Sequence, residues 1–376
     1  MVIPERWSKK QLCDVVSMKS GDTITAERIS DNEKYPCYGG NGLRGYTDRY
    51  THDGEYALIG RQGALCGNVN YAKGKFYASE HAVVVTPHVD TDIRFMYYLL
   101  TAMNLNQYST SSAQPGLAVN KILELECVLP DNKSEQIAVA IALSDIDKTI
   151  STQEKLIAKK QAVKQGTVQE LLSGKKRLLG FTEKWAKCRL GDVGTLLRMS
   201  VNPQQHPHDK FYEYSMPSYD DGRKPKFVNG EAMNSLRYKI PHNILLFNKL
   251  NVRQKRVWLI EEELPNSVCS TEFLPYQANG IDLYLLREIL IQNEVVNYFD
   301  SISTGTSNSQ KRISPQNFLD YEVFMPLEIE EQRALSLLLK DMNEEIDVLK
   351  GKLRKLHQIK TGMMDNLLTG KIRLID

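Results

Sequence analysis

Several short segments set arginine, lysine, asparagine and glutamine beside glycines or just past strand-like runs, where their donors can meet flat polar edges. Gly60-Arg61-Gln62-Gly63 directly follows the β-type run Glu55-Tyr56-Ala57-Leu58-Ile59. Glycines there allow close backbone approach, an arginine fork matches the guanine edge, and a glutamine amide matches adenine. The segment Tyr38-Gly39-Gly40-Asn41-Gly42-Leu43-Arg44 offers Asn41 and Arg44 in the same manner. In the second half of the chain, Asn243-Ile244-Leu245-Leu246-Phe247 is followed by Lys249, Asn251, Arg253, Lys255 and Arg256. Another cluster holds Arg223, Lys224 and Lys226. Two further loops, with Gln114 in one and Gln310, Lys311 and Arg312 in the other, carry hydroxyls, amides and cations suited to phosphate oxygens. Each cluster has a plainer reading as a solvated turn whose arginine meets a carboxylate.

Catalytic chemistry has no comparable support. No GxxxxGK[ST] loop is present, and Gly305–Lys311 lacks its second glycine and its Gly-Lys-Ser/Thr ending. No glycine-rich strand-to-helix turn suits a methyl-donor cofactor. Met216-Pro217-Ser218-Tyr219 lacks the polar first residue of an amino-methyltransferase Asn/Asp-Pro-Pro-Tyr motif. His206 and His208 form a possible metal pair without nearby cysteine or carboxylate ligands, so a solvated loop is the expectation. The six cysteines form no CxxC pair and read as reduced thiols of a cytoplasmic protein, with no zinc site. The expectation is a chain with no catalytic site, metal or cofactor of its own.

A length of 376 residues suggests two or three domains, and 41% hydrophobic with 25% charged residues is ordinary for a globular protein. Net charge is only +2, so a phosphate-binding surface must be local or shared with a partner. No apolar run approaches the roughly 20 residues of a membrane span, and the first residues lack a signal-peptide core.

The elements that must position these side chains come from a repeat. Residues 134–178 align without a gap on 330–374, so that Glu135-Gln136 falls on Glu331-Gln332 and Leu171-Leu172-Ser173-Gly174-Lys175 on Leu367-Leu368-Thr369-Gly370-Lys371. In the second copy Leu339, Met342, Ile346, Leu349, Leu353, Leu356, Lys360, Met363 and Leu367 step by three and four in a heptad seam. The first copy keeps the register at Leu143, Ile146, Ile150, Ile157 and Leu171, interrupted by Gln153, Lys160, Lys164 and Thr167. Antiparallel pairing of the two copies is therefore expected. Each helix of about 40 residues would be about 60 Å long. Gly174 and Gly370 suit the left-handed position just past a helix end. Basic residues on the helices (Lys159, Lys160, Lys164, Lys175, Lys176 and Arg177) suit partner docking, although a DNA-facing or simply solvated surface is open to them.

Each repeat follows a variable segment held in a matched bracket. The openings are Trp7 to Asp14 and Trp185 to Asp192. The closings run from Leu117 through Ile122-Leu123 to Pro130, and from Ile313 through Phe318-Leu319 to Pro326. The expected fold is α+β: two globular recognition domains with small sheets, at 1–132 and 181–328, separated by two long antiparallel helices at 133–180 and 329–376 that form a coiled coil with pseudo-two-fold symmetry.

This duplicated set resembles the specificity subunit of type I restriction–modification systems along the whole chain. The matching residues are Ile3-Pro4-Glu5-Arg6-Trp7, Leu129-Pro130 and Met325-Pro326 each four residues before Glu-Gln, and the Leu-Leu-Ser/Thr-Gly-Lys helix exits. The resemblance implies a non-catalytic reader of double-stranded DNA in which each recognition domain reads half of a split target and the helices set the spacer. It implies two methyltransferase subunits and restriction subunits as partners; S-adenosylmethionine, ATP and Mg²⁺ would belong to those chains. The alternatives are a scaffold without base readout and a stand-alone DNA methyltransferase or nuclease.

Overall fold

The computed structural model describes residues 3–63, 65–109, 115–307 and 309–374. They form two compact units, one of residues 1–157 with 349–376 and the other of residues 158–348. The unit boundaries cut through both long helices, so each unit contains one bracketed globular segment and part of each helix.

In the first unit the bracket is a two-stranded ladder of β1 (Trp7–Gln11) and β8 (Glu126–Pro130), with Trp7 opposite Pro130. Between them lie β2 (Val16–Ser20), β3 (Tyr35–Gly39), β4 (Gly42–Thr47), β5 (His52–Gly60), β6 (Val69–Ala78) and β7 (Ala82–Pro87). They form one sheet in the order β2-β7-β5-β6-β3-β4. Apolar residues at Ala57, Ile59, Val83 and Val85 alternate along β5 and β7 and face the main core, as the two-residue period of a strand requires. The helix Ile93–Ala102 covers this face with Phe95, Met96 and Leu99.

The second unit repeats the bracket with β9 (Trp185–Arg189) and Trp185 opposite the final proline of β19 (Glu322–Pro326). Within it run β10 (Gly194–Leu196), β11 (Ser200–Val201), β12 (Lys210–Tyr214), β13 (Lys226–Asn229), β14 (Arg237–Lys239), β15 (Ile244–Asn248), β16 (Val257–Ile260), β17 (Ser267–Ser270) and β18 (Phe273–Ala278). One sheet has the order β10-β18-β15-β16, the same sequence of roles as β2-β7-β5-β6. The remaining strands form a five-stranded sheet, β11-β14-β17-β12-β13, where the first unit has only the β3–β4 hairpin. The shared four strands are the frame, and the additions are the variable part.

The two long helices are Lys133–Leu172 and Ile329–Leu367. Within the first unit they run antiparallel, with Gln153 donating to the Leu349 carbonyl at 3.0 Å and Lys360 paired to Asp147 at 2.7 Å. Within the second unit Lys160 meets Glu345 at 2.6 Å and Lys164 donates to Asn343 at 2.6 Å. Leu143, Ile150, Ile157, Leu171, Leu339, Ile346 and Leu367 are buried; Ile146, Met342, Leu349, Leu353, Leu356 and Met363 are half-buried. No seam position is exposed. Leu143 and Leu339 hold equivalent places and are fully enclosed, each contributing about 2 kcal/mol through burial. Both helices end as the glycines require, with Gly174 at φ +70° and Gly370 at φ +68°.

The repeated motifs have one structural meaning in both units. Glu135 opens the central helix, is 1% exposed, and accepts both nitrogens of an Arg373 fork at 2.7 Å and the Trp7 indole at 3.3 Å. Glu331 opens the C-terminal helix, is wholly buried, and accepts the Arg177 fork at 2.6 and 2.5 Å and the Trp185 indole at 3.3 Å. Each arginine follows the exit of the opposite helix. The neighbouring glutamines clamp the bracket to the domain: Gln136 accepts from the Asp92 amide and donates to the Pro130 carbonyl, and Gln332 does the same with Asp282 and Pro326. Asp92 and Asp282 in turn cap the helices Ile93–Ala102 and Leu283–Leu290.

Candidate nucleic-acid interface

The central strand of each frame sheet delivers one cation to the same place. In the first unit β5 ends at Gly60, and the Arg61 amide donates to the His81 carbonyl at 2.9 Å while its own carbonyl accepts from Leu117 at 2.9 Å. In the second unit β15 ends at Asn248. There the Lys249 amide donates to the Glu272 carbonyl at 2.9 Å and its carbonyl accepts from Ile313 at 3.1 Å. Leu117 and Ile313 are the matched bracket residues, and His81 and Glu272 each immediately precede the neighbouring strand of the frame. Two backbone hydrogen bonds, one on each side, therefore hold Arg61 and Lys249 in equivalent positions.

Around Arg61 the first unit gathers three turns. A side chain on Gly60 would fall 1.9 Å from the Gly40 carbonyl oxygen, so only glycine permits the β3–β4 turn to approach. Gly40 also packs near the Gln62 and His81 carbonyls. Asn41, Arg44 and Gln62 are exposed, and Arg61 is half-buried with one guanidinium nitrogen 3.2 Å from the Ser20 hydroxyl. No carboxylate meets it there among the described residues. The turns that carry Asn41, Arg61 and Gln62 come together, Ser20 and His81 join them without any local signal in the sequence, and Arg44 lies along Gly39. Gln114 lies outside the described residues.

The second unit treats its cations differently. The Asn251 amide donates to the Lys311 carbonyl at 2.9 Å, joining the loop after β15 to the Gln310–Arg312 loop. Arg312 is filled by the Glu272 carboxylate at 3.1 Å, which holds its guanidinium even more firmly protonated than usual. Arg256 is filled by Asp220 at 2.9 and 2.7 Å, and this hydrogen-bonded fork pulls the Asp220 carboxyl below its ordinary range. Arg253 reaches Asp300 at 3.4 Å, and Lys255 donates to Asn293 at 2.6 Å. The plainer reading thus fits Arg256 and Arg312, whose forks are occupied by acids far away in sequence. Arg223 lies over the Tyr219 ring at 5.0 Å. Lys224, Lys226, Lys249 and Lys311 have no ion pair among the described residues, and Gln310 is exposed. Asn251 sits at φ +51° with its side-chain oxygen buried and unbonded, as are both polar atoms of Asn248.

Two sequence candidates for other chemistry are structural. Met216–Asp220 is a short helix capped by Ser215, and its Tyr219 is buried with the hydroxyl donating to the Lys255 carbonyl. His206 does have a carboxylate beside it, Asp209 at 3.4 Å in an exposed loop, but no group of three possible metal ligands forms among the described residues.

A family model described as the type I restriction modification DNA specificity domain matches residues 4–160. The EcoprrI type I restriction enzyme specificity subunit of Escherichia coli is 50% identical over 143 residues, which is 37% of this chain and 35% of that one. A putative type I restriction enzyme specificity subunit of Methanocaldococcus jannaschii is 25% identical over 306 residues, 74% of this chain and 68% of the other. Across the first curated relatives it matches, the chain spans about a third to a half of their length. The crystal structure of a type I restriction–modification S subunit from Mycoplasma genitalium superposes with a TM-score of 0.69 at 18% identity, covering 96% of each chain, and so shares the fold. Residues 4–160 thus match the type I restriction modification DNA specificity domain, and the chain along its length has the fold of a solved type I S subunit.

Proposed function

We propose that this chain reads a bipartite DNA target, one half-site per recognition domain, and assembles the methyltransferase and restriction subunits without a catalytic site of its own. The equivalent seating of Arg61 and Lys249 carries the reading, because two unlike domains keep one cation at one place on a common sheet. An arginine there suits a guanine edge, and a lysine suits guanine or phosphate. S-adenosylmethionine, ATP and Mg²⁺ chemistry belongs in this reading to the partner chains, and the complex works in the cytoplasm.

The long helices support the assembly role. Ile141 and Leu337 occupy the same position of the two helices, as do Val163 and Ile359, and all four are exposed. Apolar residues repeated on solvent-facing helix positions suit two copies of one partner. Ile141→Asp and Leu337→Asp are each expected to reduce the methyltransferase subunits recovered with the chain from two to one, measured by native mass spectrometry. Full occupancy in both variants would place the docking surface elsewhere.

Methylation mapping of DNA exposed to the assembled complex tests the whole reading: two short defined half-sites around an indifferent spacer are expected. Inserting one heptad into both helices should lengthen the spacer by roughly three base pairs, since seven residues rise about 10 Å and base pairs are about 3.4 Å apart. The half-sites themselves should stay the same. An unchanged spacer would remove the ruler role while leaving recognition intact.

A further inference from the structure

The joint between each recognition domain and the long helices is built around one half-buried lysine, and its carboxylate partner has changed sides. By repeat register Lys164 matches Lys360, and Asp147 matches Asn343. The domain helices Ile93–Ala102 and Leu283–Leu290 correspond through their caps, Asp92 and Asp282, which places Tyr98 and Glu288 at the same step.

In the first unit the acid is on the long helix. Asp147 takes the Lys360 ammonium at 2.7 Å and the Tyr98 hydroxyl at 2.8 Å, and Lys360 lies 5.9 Å from the Tyr98 ring centre. Burial, and then the bond to Asp147, push the Tyr98 hydroxyl far above its usual range, so it stays a neutral donor. In the second unit the acid is on the domain helix. Glu288, 1% exposed, lies 3.5 Å from the Lys164 ammonium, an ion pair rather than a hydrogen bond. Lys164 instead donates to Asn343, whose amide donates to the Tyr284 hydroxyl at 2.7 Å. Arg287 holds the other Glu288 oxygen at 2.6 Å.

A half-desolvated ammonium requires one carboxylate: with none, its burial is uncompensated. We propose that this lysine–carboxylate contact is a key matching each recognition domain to its seat on the helices. A domain helix with a neutral residue at this step fits a long helix that supplies aspartate, and one with glutamate fits a long helix that supplies asparagine. The two domains are then exchangeable between seats only if the acid moves with them. This holds whatever the domains bind.

The test is a double-mutant cycle on the full-length chain, using the isosteric changes Glu288→Gln and Asn343→Asp and reading the thermal midpoint. Glu288→Gln should lower the midpoint by several degrees, since Lys164 then faces no carboxylate, while Arg287 keeps the Val257 carbonyl as a partner. Adding Asn343→Asp should recover more than half of that loss, and in the native background it should bring no such gain. The coupling should vanish when Lys164→Met is present in all four chains. If Glu288→Gln is insoluble, the double variant should be soluble. Equal shifts from Asn343→Asp in both backgrounds, coupling that survives Lys164→Met, or a double variant as insoluble as Glu288→Gln would overturn the proposal.

Discussion

Glu331→Ala is expected to destabilise the second unit by about 3 kcal/mol, read as a lower urea midpoint at constant slope. The carboxylate is wholly buried and accepts three hydrogen bonds, two from Arg177 and one from the Trp185 indole. Its removal leaves a guanidinium and an indole N–H without an acceptor. Breaking a buried pair typically costs about 3–5 kcal/mol, and the quarter exposure of Arg177 puts the expectation at the low end because water solvates part of the orphaned cation. Glu331→Gln keeps the shape and one acceptor and should cost about half as much, since hydrogen bonds to charged groups contribute about 1.5–3 kcal/mol. Replacing Glu331 and Arg177 together by methionine should cost only about 1–2 kcal/mol, because no charge is orphaned and the Trp185 indole N–H alone loses its acceptor. Glu135→Ala should act in the same way on the first unit through Arg373 and Trp7. A Glu331→Ala chain as stable as the native one would mean that apolar packing alone holds the helix entries.

The second large effect is expected at Arg61. Arg61→Ala should relax one base position of one half-site at a cost of about 1–3 kcal/mol, with the other half-site unchanged. Backbone hydrogen bonds to His81 and Leu117 fix the residue, and the Ser20 hydroxyl steadies the guanidinium without consuming all five of its donors. A pre-set fork loses little entropy on meeting a base, so the contact discriminates rather than merely attracts. Binding of target libraries at several salt concentrations separates the outcomes. Uniform weakening on every sequence, with a salt slope reduced by about one, would assign Arg61 to a phosphate. Lys249→Ala should act on the opposite half-site alone, and a change in the Arg61 half-site would break the equivalence of the two seats.

The long helices, their register and their glycine ends were legible in the sequence because they depend on periodicity and a repeat. So were the bracket motifs, which fell into the same ladder register in both units. The frame sheet was only partly legible. Its strand runs stood out, yet nothing local showed that β5 and β15 play one role in sheets with different additions. Site residues divided along the same line. Asn41, Arg61 and Gln62 met because glycines at 40 and 60 let their turns touch. Arg256 and Arg312 were candidates for DNA contact in the sequence, but the fold brought Asp220 and Glu272 to their forks.

By itself the sequence determined the plan: two unlike domains in matching brackets, two helices of one register, and the residue types able to face DNA. These follow from order along the chain, where spacing, glycine conformations and side-chain polarity act between near neighbours. Only the tertiary structure decided which charges are spent inside the protein. It paired Arg177 with Glu331 and Arg373 with Glu135, each from the exit of one helix to the entry of the other. It also moved the acid facing Lys164 to the domain helix while leaving the acid facing Lys360 on the long one. Ion pairs form between groups that packing makes adjacent, and burial sets how strongly each needs its partner. Neither quantity is written in the spacing of residues along the chain.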